Sequence, residues 1–183
     1  MDVLPELLAA LPALDAGLDP AAPWPLRRVE LRVPEGVTVH IGDPQGSDGY
    51  AIEVPQIVAY LVLDADPDEP EITAALLRLD DAYPVGMDED VEFLDTFTGV
   101  LLVHALADNR SAVRFAQDFA EAADRRHEVN PGAEATGRTG KPSESWQLEP
   151  DGPVLALRVN QEGMNVFTCR DAQGRNVGML LHA

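Results

Sequence analysis

Positive charge is scarce in this chain of 183 residues. Lys141 is the single lysine beside twelve arginines, against 32 carboxylates, and the formal net charge is -19. A balance this acidic repels nucleic acid and anionic membrane, and it attracts cations or a basic protein surface. Cysteine is reduced to Cys169, which excludes a disulfide within the chain and a cysteine-built metal site. No apolar run approaches the ~20 residues that cross a bilayer. At the start, MDVLPELLAALPALDAGLDP, Asp2 and Glu6 stand where a secretory signal is positive, and Pro5 and Pro12 interrupt the apolar stretch. The expectation is a soluble cytoplasmic protein. The skew to arginine, with abundant Ala, Leu, Pro and Gly, points to a GC-rich, bacterial source.

Catalytic signatures are missing as well. Serine occurs only at 47, 111, 143 and 145, none within G-x-S-x-G. Both the dinucleotide-binding G-x-G-x-x-G and the P-loop are absent, and the turn-rich stretch GDPQGSDG (42–49) carries two carboxylates that repel phosphate. No cofactor and no metal are therefore expected.

More than half of the net charge sits in residues 64–95. There Asp64, Asp66, Asp68, Glu69, Glu71, Asp80, Asp81, Asp88, Glu89, Asp90, Glu92 and Asp95 face one cation, Arg78. Asp64, Asp66 and Asp68 open like a calcium loop, but an EF-hand needs glycine at the sixth place and glutamate at the twelfth. Glu69 and Ala75 stand there instead, so a solvated acidic loop is the plainer reading.

Hydrophobic spacing gives the elements. Leu4, Leu7, Leu8, Leu11 and Leu14 predict a short amphipathic helix, which Pro12 should end or kink. The proline-rich 19–26 reads as a stiff connector. Strands are predicted over 26–34, with Val29, Leu31 and Val33 inward and the other face wet, then over 37–41 and 50–54 around an exposed loop at 42–49. The continuous apolar run 57–64 predicts a central strand buried on both faces. Residues 72–82 fit a helix, with Ile72, Ala75, Leu76 and Leu79 at helical spacing. Residues 88–107 read as a helix whose first turn holds Asp88, Glu89 and Asp90, with a buried strand as the alternative. Residues 109–127 make a further helix capped by Asp108. The glycine-rich 130–145 predicts a flexible loop. Strands from Trp146 onward, separated by Gln161-Glu162-Gly163 and Ala172-Gln173-Gly174, predict hairpins. The fold class is thus α+β: a single domain over 26–183, mainly antiparallel sheet, with an N-terminal helical arm (1–18), two or three central helices and a C-terminal β-meander.

Isolated chemistry-bearing residues have bland explanations. His40, His104, His127 and His182 form no H-x-x-x-H pair; His40 falls on the wet side of its strand, and His104 reads as a satisfied core histidine. Cys169 reads as a buried structural thiol. What remains is the acidic band. It predicts a small, non-enzymatic protein-binding domain of the adaptor, specific chaperone or immunity-like inhibitor type. Its basic partner would dock on Asp64, Asp66, Asp68, Glu69, Asp80, Asp81, Asp88, Glu89 and Asp90. The rival is an acid–base or metal-dependent enzyme that uses carboxylates of 64–95 with His104, which requires them to share a deep pocket.

Overall fold

The N-terminal leucines form α1 (Val3–Asp15), which continues through Pro12. Pro12 is exposed, so the ring that costs the helix one backbone hydrogen bond faces solvent and displaces nothing from the core. The computed structural model describes residues 3–46, 48–63, 72–129, 146–149, 153–159 and 162–183, with backbone alone at 125–129. The strands are β1 (Leu26–Arg32), β2 (Thr38–Gly42), β3 (Tyr50–Glu53), β4 (Gln56–Leu63), β5 (Ile72–Arg78), β6 (Gly86–Leu94) and β7 (Val100–His104). After α2 (Asn109–Val129) come β8 (Trp146–Glu149), β9 (Val154–Arg158), β10 (Met164–Arg170) and β11 (Asn176–His182).

Among the described residues they make two antiparallel sheets, one of six strands in the order β1-β4-β5-β11-β10-β6 and one of five in the order β3-β2-β7-β9-β8. The inner faces meet in one core, where Leu31, Leu61, Leu77, Val166 and Leu181 pack with Ile41, Leu101, Val103, Leu155 and Leu157. On the outer face of the six-stranded sheet, α1 buries Leu7 and Leu11 against Tyr60, Leu76 and Leu180. On the outer face of the five-stranded sheet, α2 lays Ala112, Ala116 and Phe119 over Val100, Leu102 and Ala156. The layers run helix, sheet, sheet, helix.

Two or three central helices are not what forms. Among the described residues one does, α2, capped by Asp108, whose Oδ1 accepts the Ser111 N–H at 2.8 Å. Residues 72–82, expected as helix, give β5. Its Ala74, Ala75, Leu76 and Leu77 are all fully buried, because one sheet face carries α1 and the other the second sheet. Two-sided burial erases the period of two that identifies a strand. Residues 88–107 divide into β6 and β7 around a turn at Gly99 (φ 67°). The C-terminal meander also separates: β8 and β9 pair in one sheet, β10 and β11 in the other. β9 and β10 are thus not a hairpin, since they lie in different sheets, whereas 171–175 does turn tightly, with Asp171 N–H donating to the Arg175 carbonyl at 3.0 Å. The loop expected at 130–145 lies outside the described residues.

The face of β1 expected to be wet carries α1, and one ionic clasp joins them. Asp15, the last residue of α1, accepts from Arg28 Nε at 2.8 Å, Arg78 at 3.0 Å and the Tyr60 hydroxyl at 2.7 Å, and from the Tyr83 hydroxyl. Burial works against its charge, yet these hydrogen bonds and the Arg78 charge outweigh it and hold the carboxyl well below the usual range. The two guanidiniums also offset a carboxylate placed at the unfavourable end of the helix dipole.

Candidate functional site

β6 is the terminal strand of the six-stranded sheet, paired with β10 alone among the described strands. The pairing decides which way its side chains point. Leu94 opposite Met164 and Glu92 opposite Val166 share the inner face, since Met164 and Val166 belong to the central core. Phe93, Val91 and Met87 stand opposite Asn165, Phe167 and Cys169, on the outer face that α1 occupies further along the sheet. Beyond the reach of α1 this face is open: Met87, Val91 and Phe93 are exposed, as are Val85 before the strand and Phe97 after it, the last at 72 %.

Between Val91–Phe167 and Met87–Cys169 the register shifts, so that Asp88, Glu89 and Asp90 stand against Thr168 alone. The acidic triplet read as a helix start is therefore a bulge on a sheet edge. Bulges and charge both discourage edge-to-edge association. Arg170 claims Asp88, with Nη2 at 2.6 Å. Glu89 and Asp90 are exposed and form no ion pair among the described residues. On the inner side Glu92 accepts the Tyr50 hydroxyl, tying β6 to the edge strand β3.

Asp64, Asp66, Asp68 and Glu69 lie outside the described residues. Asp80 and Asp81 are exposed on the segment that crosses the end of the β10–β11 hairpin to reach β6. Asp80 accepts the Ala82 N–H at 2.9 Å, and its charge favours the protonated form of Arg175 on that hairpin. Arg78, the one cation in the band's sequence, is held by Asp15 and covered by Tyr83, whose ring centroid is 4.8 Å away. Counting charge along the sequence thus missed Arg170 and Arg175, which come close only through pairing of β10, β11 and β6. It also missed Met87, Val91 and Phe93. Their signal was the alternation in V-E-F beside Met87, masked because Phe93 and Phe97 also fit a helix stripe.

A second feature is a cleft of about 410 Å³ at the outer face of β2 and β3, beside the strands β7 and β9 that α2 covers. It is lined by His40, Asp43, Asp48, His104, Asp108 and Asn109, among others. His40 and His104 are direct cross-strand partners, their rings stacked at 5.5 Å. His104 is buried, and burial, helped by the nearby His40, lowers its pKa to about 4. Its Nδ1 accepts the Leu106 N–H at 3.2 Å, so the neutral ring carries its proton on Nε2. The carboxylates here are engaged. Asp43, deep in a loop expected to be exposed, accepts from the Gln45, Phe97 and Thr98 N–H groups at 2.7–2.9 Å, and Asp108 caps α2. None of the band's described carboxylates lines the cleft, so the arrangement that the enzymatic alternative requires is not formed by them. Among the described residues no three His, Cys, Asp or Glu side chains converge to hold a metal, and no helix is long and apolar enough to cross a membrane. Cys169 is fully buried, its thiol pushed up to about 11 by burial.

No protein-family model, curated protein or solved structure matches the chain.

Proposed function

We propose that this is a small bacterial protein-binding domain, of the adaptor, specific chaperone or immunity-like inhibitor kind, that docks a basic partner on the outer face at β6. One observation carries the reading: Met87, Val91 and Phe93 form an exposed apolar row on a terminal strand, bordered by the exposed carboxylates Glu89 and Asp90. An apolar centre with a charged rim is the anatomy of a protein interface, and exposed apolar area of this kind is unusual on a surface with no partner. The acids add steering. Association with a basic surface should be fast and weaken with salt as screening shortens to about 8 Å at physiological ionic strength.

A photo-crosslinking side chain placed at Phe93, with one at His40 on the other sheet as control, tests this in a lysate of the source cells. A basic partner should be captured from position 93, not from 40, and lost when Glu89→Lys and Asp90→Lys are introduced together. Capture that ignores the reversed charges and the salt concentration refutes the reading.

A further inference from the structure

We propose that β6 receives its partner as an added strand: an extended segment, with cations and β-branched or other apolar residues in alternation, that becomes the seventh strand of the six-stranded sheet. This rests on the docking reading above and specifies its geometry. Among the described residues the far edge of β6 has no neighbouring strand, so the outward backbone groups of its regular stretch, Val91 to Leu94, are available to pair. An incoming strand aligns its own outward row with Met87, Val91 and Phe93, continuing the uncovered face, and such main-chain pairing with alternate side-chain readout is the chemistry of strand addition.

The charges decide which strand. A second copy of this chain is disfavoured, because antiparallel pairing of β6 with itself over its full length sets Asp90 against Asp90 and Asp88 against Glu92 across the ladder, and like charges directly opposite destabilise. The Asp88-Glu89-Asp90 triplet favours a cationic strand: Arg170 neutralises Asp88, which leaves Glu89 and Asp90 to meet two cations of the partner. The bulge and its charge thus act as a filter, barring self-association while admitting a basic segment. Its position midway along β6 leaves regular pairing on one side, from Val91 to Leu94 against Met164 to Phe167, and there the added strand finds the extended geometry it needs.

The probe is the synthetic peptide acetyl-Thr-Lys-Val-Arg-Val-Lys-Ile-Thr-amide, labelled for fluorescence anisotropy, with two analogues N-methylated on alternate residues, one along each edge. Both analogues keep the charge and the apolar row, and each removes the donors of one edge. Strand addition predicts that the parent binds, that one analogue binds about as well, and that the other is weakened at least about tenfold through the lost main-chain bonds. Binding should also slow hydrogen exchange at amides of residues 87–93. Equal binding of the two analogues, with exchange at β6 unchanged, overturns strand addition and leaves docking on the apolar row intact. Failure of every peptide at millimolar concentration overturns it too, and the crosslinking result then decides separately whether the face docks a folded surface.

Discussion

Removing the carboxylate of Asp15 should destabilise the protein far more than its position at a helix end suggests. The Asp15→Ala change strands Arg78, whose side chain is only 10 % exposed, whereas Arg28, 29 % exposed, keeps Glu30 at 3.4 Å. It also takes the acceptor from the buried Tyr60 hydroxyl. Breaking a buried pair by removing one partner costs about 3–5 kcal/mol, because the surviving charge stays desolvated. Arg28 reaches water and adds little, so the Arg78 loss dominates. At this chain length each kcal/mol moves the midpoint by about 2–4 °C, which puts the expected fall at about 6–20 °C. Thermal unfolding followed by circular dichroism reads it directly. The double change Asp15→Ala with Arg78→Met should recover part of the loss, since no buried charge is then unpaired. The pH dependence carries its own sign. The folded carboxyl titrates below its unfolded value, so its contribution is complete above about pH 4 and is lost as pH falls from there towards the folded value. The gap between wild type and Asp15→Asn should therefore narrow on acidification below pH 4. An Asp15→Ala midpoint within about 2 °C of wild type at neutral pH, or a gap that widens in acid, would refute the clasp.

His104 should mark a separate window. Burial lowers it from 6.5 to about 4, so the unfolded chain takes up a proton that the folded one refuses. Stability should fall by about 3 kcal/mol between pH 6.5 and pH 4 on this account, and His104→Gln should flatten that slope; an unchanged urea-midpoint profile counts against a neutral buried ring. The crossing between the sheets gives the third expectation. A Cβ at Gly163, where φ is +116°, would stand 2.2 Å from the Leu94 carbonyl oxygen, whereas at Gly174, with φ +77°, it would meet nothing within 4 Å. Gly163→Ala should cost about 3 kcal/mol or more and Gly174→Ala about 1–2 kcal/mol, and equal urea midpoints for the two variants would contradict the close approach.

Local chemistry was enough for several elements. The leucine stripe of α1, the alternation in β1, the buried run of β4 and the Asp108-capped α2 each rest on signals a few residues long, and the turn at 171–175 follows from glycine at a position that needs φ above zero. The sequence alone also determined that the chain is strongly acidic and that Cys169 has no disulfide partner within it. Only the tertiary structure decided the rest. β5 looked helical because α1 and the second sheet bury both its faces, and Asp88, Glu89 and Asp90 suited a helix terminus as well as they suit a bulge. Gln161-Glu162-Gly163 has hairpin length, yet β9 and β10 enter different sheets, because each completes a face that strands from the first half leave open. The candidate site follows the same logic: its apolar row, its free edge and the cation that neutralises Asp88 come from residues about eighty positions apart, and strand pairing over such distances is fixed by which faces must be buried together, not by any local pattern.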